Sequence, residues 1–343
     1  APDAAGYKAA VLFPGTENDG SWANAWCDGA KDFAATTGAE VKCVGGLNEP
    51  DQYTQQASSF ASEGYNMVVL AHGAMGDVAI ALAKQFPDVE FCQAPLNPTE
   101  DALAGEPKNV CHLDFEQQHS NFVAGALAGL VTKTNKIGAV NGFAFPALTR
   151  QPEGFILGAR CVNPDVQVTQ KYINSWEDQA LAKAAADAMF ADGVDVILGA
   201  TDQAVQGTYE SAKEAGPGHW IIPEYFDSND QAPDVIITSV LYGLQKYAAE
   251  IFTRDLNGEL GKGPGATFIR FDLLDSDHIA PFYEDEANLD PAIIAKVKEI
   301  SDKVNSGAIT VPDESISNPD VAGGATIGAE GDGSKIDPKS IGC

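Results

Sequence analysis

Aromatic and acidic residues stand where predicted strands end, and the first such point lies near the amino terminus. Residues 9–13 form an apolar run that predicts a buried strand, and the polar loop after it carries Asp19 and Trp22. Asn18 and Asp19 also precede a helix predicted to begin near Ser21, where short polar side chains cap free amides. A tryptophan face can stack on a flat ring, and a carboxylate accepts hydrogen bonds from N–H and O–H groups. We therefore predict a ligand-binding loop, with core packing as the alternative role for Trp22.

The same pattern returns at later strand ends along the chain. Those positions hold His72 and Met75, Phe143 and Phe145, Trp176, Asp202, Phe226 and Asp227, and Tyr242. The carboxyl ends of parallel strands form the edge at which open α/β sheets bind ligands. Taken singly, each of these residues is more simply explained by structure. Taken together at loop positions, they favour a binding site.

No motif of a catalytic or nucleotide-binding centre stands in the sequence. There is no Gly-x-Gly-x-x-Gly after a strand, no P-loop, no Gly-x-Ser-x-Gly elbow and no His-Glu-x-x-His. The five histidines are scattered without metal-ligand spacing. A site with aromatics and acids but no base–nucleophile pair binds rather than reacts. We therefore expect a binding protein and not an enzyme, with no cofactor and no metal.

Composition limits the class of partner. The net charge of -28 would repel nucleic acid, so we expect no nucleic-acid partner. No apolar run approaches the roughly 20 residues that cross a bilayer. The opening Ala-Pro-Asp-Ala-Ala-Gly is typical of a mature end left by cleavage of a signal peptide, so we expect a periplasmic or extracellular protein.

Six widely spread cysteines contain no Cys-x-x-Cys pair, which argues against zinc-ribbon and thioredoxin sites. An even number fits structural disulfides in an oxidising compartment. Spacing favours Cys27 with Cys43, Cys92 with Cys111, and Cys161 with Cys343. Free buried thiols are the alternative.

Predicted strands alternate with predicted helices from residue 9 to residue 257, and residues 235–240 form one of the last strands. This repetition predicts two doubly wound parallel sheets, each with right-handed crossovers. We expect a two-lobed α/β fold of the periplasmic-binding-protein plan, type 1, with the ligand in a cleft between the lobes. The expected N-terminal lobe is 1–114 plus about 241–270, and the C-terminal lobe is 115–240 plus about 271–308. Residues 309–343, rich in Gly, Pro and Asp, form a predicted tail.

Five stretches resemble the basic-membrane-protein family of ABC-transporter solute-binding proteins, which includes purine nucleoside receptors of the PnrA type. They are NDGSWAN (18–24), AKQFPDVEF (83–91), FVAGALAGLVTKT (122–134), GFILGARCVNPD (154–165), and NSWED (174–178) with the later Thr201-Asp202 and Phe226-Asp227. Together they span about three quarters of the chain in the family's order.

The resemblance implies a monomeric receptor that captures a purine nucleoside or base and presents it to a membrane permease. Trp22 matches the aromatic that stacks on the ring, and Phe155 is the candidate for the opposite face. Asp227 matches the carboxylate that takes ribose hydroxyls, whereas Asp202 and Trp176 match a purine-base subgroup. The complete candidate set is Asn18, Asp19, Trp22, His72, Met75, Phe145, Phe155, Trp176, Asp202, Asp227 and Tyr242.

The sequence departs from the nucleoside receptors at two positions. Tyr242 stands where they carry a lysine, and Ala23 stands where they carry an asparagine. The family's lipoprotein cysteine is also missing, which implies a free periplasmic receptor or one whose anchor was removed. The alternative ligands are riboflavin and a sugar. The alternative functions are a nucleoside-processing enzyme and a sensing module.

Overall fold

The computed structural model describes residues 4–95, 100–282, 289–315 and 333–343, and it alternates strands with helices. The strands are β1 (Lys8–Leu12), β2 (Glu40–Val44), β3 (Met67–Leu70), β4 (Glu90–Gln93), β5 (Val110–Phe115), β6 (Lys136–Asn141), β7 (Gln167–Tyr172), β8 (Val196–Ala200), β9 (Trp220–Tyr225), β10 (Val240–Leu241) and β11 (Thr267–Phe271). The helices are α1 (Trp22–Thr37), α2 (Pro50–Ser62), α3 (Gly76–Gln85), α4 (Glu100–Gly105), α5 (Gln118–Val131), α6 (Arg150–Val162), α7 (Gln179–Ala191), α8 (Val205–Ala215), α9 (Leu244–Leu256) and α10 (Pro291–Asn305).

The chain divides into two compact units, and each unit is assembled from two segments. The first unit comprises Ala1–Phe115 with Gly243–Phe271, and the second comprises Glu116–Tyr242 with Asp272–Cys343. Among the described residues, no helix combines the length and the apolar character that a bilayer crossing requires.

The first unit is built on a six-stranded sheet in the order β11-β5-β4-β3-β1-β2, with every pair parallel. Helices α2 and α3 cover one face through a continuous apolar cluster that includes Leu12, Tyr53, Leu70 and Leu82. The β3 sequence Met-Val-Val-Leu is buried at every position. A strand buried on both faces reads as a continuous apolar run, which is why this one could be predicted.

The second unit is built on a five-stranded parallel sheet in the order β10-β9-β8-β6-β7. The strand predicted at 235–240 is wrong in extent, because only Val240–Leu241 pairs regularly with β9. Upstream, the amides of Val235 and Ile236 donate to the carbonyl of Ala232 in a turn. These amides are therefore unavailable to a ladder, and Ile236 forms only an isolated bridge.

All six cysteines are paired as the spacing favoured, and the three predicted disulfides are confirmed. The bonds join Cys27 to Cys43, Cys92 to Cys111, and Cys161 to Cys343. The third bond ties the last residue of the chain to α6 within the second unit.

Helices α5 and α6 pack through glycines. A Cβ atom on Gly125 would lie 1.8 Å from the carbonyl oxygen of Phe155, and one on Gly158 would lie 1.9 Å from that of Phe122. Both distances are far inside van der Waals contact, and both obstructing atoms belong to the backbone. The two helices can therefore approach this closely only where neither carries a side chain.

Replacing Gly125 with alanine should lower the free energy of unfolding by about 1–3 kcal/mol, because the helices must separate. Gly105 in α4 offers a matched control, since a Cβ there meets no atom within 4 Å. Denaturant unfolding of Gly125→Ala and Gly105→Ala measures both effects. Equal stability of the two variants would contradict the close-packing argument.

Candidate functional site

Trp22 lies at the carboxyl edge of the first sheet, where the loop after β1 meets the end of β3. Its indole N–H donates to the carbonyl of Ala71 at 2.8 Å. The ring meets Trp26 and Phe115 edge-on, with centroids 5.7 and 6.1 Å away. Only 6% of the residue is exposed, so Trp22 is held by the protein itself.

Asp19 uses both carboxylate oxygens on the start of α1, which confirms the capping role predicted for it. Oδ1 accepts from the amides of Ser21 (2.8 Å) and Asn24 (3.0 Å), and Oδ2 accepts from the amide of Ala23 (3.1 Å). Burial raises the pKa of Asp19, and these amides act in the opposite direction. Asn18, next to it, is exposed.

His72 follows β3 at the same edge of the first sheet. Its Nδ1 accepts from the amide of Ala74 at 3.1 Å, and its ring meets Tyr53 edge-on. Burial lowers the pKa of His72 to about 4, so the imidazole is neutral at pH 7. Met75 is 1% exposed and belongs to the apolar core under α2 and α3, so its place in the fold is that of a packing residue.

Three aromatic rings form a half-buried cluster at the carboxyl edge of the second sheet. Phe143 and Phe145, which follow β6, lie nearly parallel at 17° with centroids 5.5 Å apart. Trp176, which follows β7, lies 5.3 Å from the first ring and 6.3 Å from the second. A Cβ on Gly142 would fall 1.9 Å from the Trp176 ring, so only glycine lets the indole rest on the β6 exit. Phe143, Phe145 and Trp176 are called the aromatic triad below.

Beside the triad, three strand exits hold a non-glycine residue in the left-handed region. Asn174 after β7 has φ 54°, Asp202 after β8 has φ 46°, and Tyr225 at the end of β9 has φ 80°. Such a backbone is costly for a bulky side chain and persists where surrounding contacts impose it. Asp227 lies further along the β9 exit, exposed, and its Oδ1 accepts from the amide of Asn229 at 3.2 Å.

Tyr242 is buried in a hydrogen-bonded network inside the second unit. Its hydroxyl donates to Oε1 of Glu224 at 2.5 Å and accepts from Nδ2 of Asn121 at 2.6 Å. Its ring also meets Tyr225 edge-on, with centroids 5.0 Å apart. Burial raises the pKa of Glu224 to about 7, against the opposing hydrogen bonds from Tyr242 and Asn121. Glu224 was missed by the sequence analysis.

The raised pKa of Glu224 predicts a pH-dependent stability. Its ordinary pKa is 4.5, so between pH 4.5 and about 7 the folded state keeps a proton that the unfolded chain releases. The free energy of unfolding should therefore fall as pH rises through this window, by roughly 1–3 kcal/mol from this group. Glu224→Gln removes that titration. In denaturant unfolding at several pH values, the free energy of unfolding of the variant should therefore rise relative to that of the native protein as pH rises. Parallel stability curves would contradict the assignment.

Phe155, the candidate for the opposite stacking face, is placed differently. It is 0% exposed in the middle of α6, and its backbone packs against Gly125 of α5. The first ten residues of α6 are all buried, so this end of the helix faces protein on every side. We therefore assign Phe155 to the core.

Several buried acceptor atoms at strand ends and at the start of α5 have no hydrogen-bond partner, and the sequence analysis missed them. They are Oε1 of Gln93 at the end of β4 and, in the second unit, Oε1 of Gln117, Oδ1 of Asn121, Oδ1 of Asn141 at the end of β6 and Oγ1 of Thr201 after β8. A buried polar atom usually has a partner, so these acceptors call for donors. The available signal was a polar residue closing an otherwise apolar strand, as in Lys-Ile-Gly-Ala-Val-Asn.

Two serine–histidine contacts stand among the described residues, and both are made by Nδ1 of His278; Oγ of the half-buried Ser276 lies 3.0 Å from it. Ser120 Oγ is 3.0 Å from Nδ1 of His278, whose Nε2 is 2.8 Å from Oδ1 of Asn305. Ser120 and His278 are both 0% exposed, and burial lowers the pKa of His278 to about 4. Substrate cannot reach a histidine enclosed in this way, so we interpret both contacts as structural.

Comparison with known proteins agrees with this arrangement. The family model described as "ABC transporter substrate-binding protein PnrA-like" matches residues 7–315. "Basic membrane protein A2" of Borrelia garinii subsp. bavariensis is 26% identical over 305 residues, covering 89% of this chain and 88% of that protein. "ABC transporter nucleoside-binding protein BmpA" of Lactococcus lactis subsp. cremoris is 25% identical over 280 residues, covering 77% and 76%.

Among solved structures, a solute-binding protein of an ABC transporter system from Aeropyrum pernix K1 superposes with a TM-score of 0.74. The sequences are 19% identical, and the match covers 89% of this chain and 94% of that one. This likeness and the two parallel sheets establish the type 1 periplasmic-binding-protein fold. Because the family model spans nearly the whole described chain, the protein belongs to the PnrA-like family of ABC-transporter substrate-binding proteins.

Proposed function

We propose that this protein is the extracytoplasmic receptor of an ABC importer and captures a purine nucleoside or purine base. The observation that carries the proposal is the aromatic triad standing beside buried acceptors that have no partner. Flat rings stack on aromatic faces, and a purine carries N–H donors along its edge. A relative named as nucleoside-binding supports the same ligand class.

In this proposal Trp176 and Phe145 supply the stacking surface in the second unit. Asn141 and Thr201 lie at the ends of β6 and β8, on the same sheet edge as the triad, and their unpartnered oxygens accept from the purine edge. Each bond satisfies an acceptor that is otherwise buried without a partner, and such an acceptor costs about 1–3 kcal/mol.

Asp202 and Asp227 are the proposed partners of ligand hydroxyl or amine groups, since both stand at strand exits of the second unit. In the first unit, His72 and Gln93 lie together at the sheet edge, where Nε2 of Gln93 donates to the carbonyl of His72 at 2.8 Å. We include both as contacts because Oε1 of Gln93 is unpartnered.

Three other predicted site residues already make hydrogen bonds that stabilise the fold, which limits their role in ligand binding. Trp22, Asp19 and Tyr242 are already hydrogen-bonded within their own units. We therefore propose that they shape the site rather than supply its main ligand bonds. The role of Asn18 as a ligand contact stays a prediction. The monomeric state, the placement of the ligand between the lobes and its delivery to a membrane permease also stay predictions.

A ligand screen by thermal shift tests this function. Purine bases, purine nucleosides, riboflavin and sugars are each added to the purified protein. A ligand at a hundredfold excess over its dissociation constant stabilises the fold by about 2.7 kcal/mol, which raises the melting temperature clearly. A shift with a purine supports the proposal, and comparison of base with nucleoside shows whether ribose is bound. A shift with only a sugar or riboflavin would refute it.

A further inference from the structure

A polar cavity opens at the other end of the first sheet, where the strands begin. Its volume is about 340 Å³, and its lining includes Tyr7 before β1, Asn66 before β3, Glu90 at the start of β4 and Asp255 in the last turn of α9. All of these residues belong to the first unit. The cavity is therefore separate from the carboxyl-edge residues of the proposed purine site.

Three acidic residues line this cavity: Asp88 is exposed, whereas Glu90 and Asp255 are less exposed and have no basic partner within the described parts of the chain. Among the residues that the structure describes, no lysine, arginine or histidine forms an ion pair with Glu90 or Asp255, although Lys108 is part of the lining. Arg254, next to Asp255 in sequence, pairs with Glu250 instead. An uncompensated buried charge is expensive, and two of like sign are more so.

The Glu90 side chain is buried, and its Oε1 has no hydrogen-bond partner. One Asp255 oxygen, Oδ2, accepts from the Tyr7 hydroxyl at 2.5 Å. Asp255 also stands at the carboxyl end of α9, where the helix dipole is negative and favours a cation. The two carboxylates and the end of α9 therefore all favour a cation.

The loop after α9 passes close to these oxygens. Gly261 has φ +65° and no side chain. A Cβ atom placed on it would lie 3.3 Å from the carbonyl oxygen of Lys108 and 3.6 Å from Oε2 of Glu90. A carbonyl oxygen and a carboxylate oxygen thus flank one point next to the cavity. Carboxylate and carbonyl oxygens are the ligands that hard cations prefer.

We propose that this cavity binds a hard metal cation of the Ca²⁺ class, with Glu90 and Asp255 as its charged ligands and the Lys108 carbonyl as a neutral one. The cation compensates the buried carboxylate of Glu90 and the half-buried one of Asp255, and it joins the start of β4 to the end of α9. The sequence carries no metal motif because these ligands come from three distant segments.

The test uses the full chain, freed of metal with EDTA and then titrated with Ca²⁺ to about 1 mM, within the affinity range of extracellular calcium modules. Ca²⁺ should raise the melting temperature. Tb³⁺, excited through nearby aromatic rings, should luminesce on binding and be displaced by Ca²⁺. In Glu90→Gln and Asp255→Asn the apparent Ca²⁺ affinity should fall roughly tenfold or more, because each variant loses a charged ligand.

Glu63→Gln is the matched control, since Glu63 is an exposed acid of the same unit and lies outside the cavity lining. It should respond to Ca²⁺ like the native protein. Both cavity variants should fold in EDTA at least as stably as the native chain, because each removes one of two like charges.

The proposal is overturned if the native protein shows neither a Ca²⁺-dependent shift nor a Tb³⁺ signal, or if the cavity variants respond as it does. Purine binding should persist in both variants, so the cation site and the purine site can fail independently.

Discussion

Replacing Trp22 with alanine is expected to lower the free energy of unfolding by about 3–5 kcal/mol, the cost of removing a large buried aromatic from a core. The ring is 6% exposed and packs edge-on against Trp26 and Phe115. Its loss leaves a cavity and deprives the carbonyl of Ala71 of its donor. Denaturant unfolding of the purified variant measures the effect.

Trp22→Phe separates the two contributions. It keeps an aromatic ring in the cluster but removes the N–H that donates to Ala71, so the expected loss is smaller, about 1–3 kcal/mol for an unpaired buried carbonyl. Unchanged stability in the alanine variant, combined with loss of ligand binding, would show that Trp22 is a ligand contact instead of a core residue.

Replacing Trp176 with alanine is expected to weaken the binding of a purine by about 1–3 kcal/mol, the contribution of one stacked aromatic. That loss corresponds to roughly a 5- to 150-fold rise in the dissociation constant. The ring is half-buried and stands in the aromatic triad, with Phe143 and Phe145 beside it. Calorimetric titration with the purine that shifts the melting temperature measures the change.

Trp220→Ala is the matched control for this experiment. Trp220 is also half-buried and also belongs to the second unit, but it lies at the start of β9, at the edge opposite the triad. Its variant should bind the purine with native affinity. Equal losses in the two variants would mean that the affinity change reflects general destabilisation rather than stacking.

The alternation of strands and helices could be predicted because it is written in local periodicity. The β3 run Met-Val-Val-Leu is apolar at every position, and the structure confirms that it is a strand buried on both faces. The segment 235–240 is also rich in β-branched residues, yet the carbonyl of Ala232 accepts from its first two amides in a turn. Composition reports burial, whereas pairing depends on where the preceding turn points each amide.

The site residues were predicted less completely, and two cases show why. Phe155 follows Gly154 in a stretch that resembles the family, but the glycines of α5 let the helices approach until its side chain is enclosed. Glu224 closes an apolar strand, and only its contacts with Tyr242 and Asn121 single it out. Neither helix distance nor a long-range hydrogen bond is visible in local spacing.

The sequence by itself determined the α/β class and the family, because both follow from residue types at characteristic separations along the chain. It only favoured the cysteine pairs, which the structure confirmed. The tertiary structure decided which of two tryptophans at strand ends keeps a ring available. Trp22 is enclosed and donates to Ala71, whereas Trp176 rests on Gly142 and stays half-exposed. The difference lies in neighbours that are tens of residues away in sequence, and packing alone brings them to the ring.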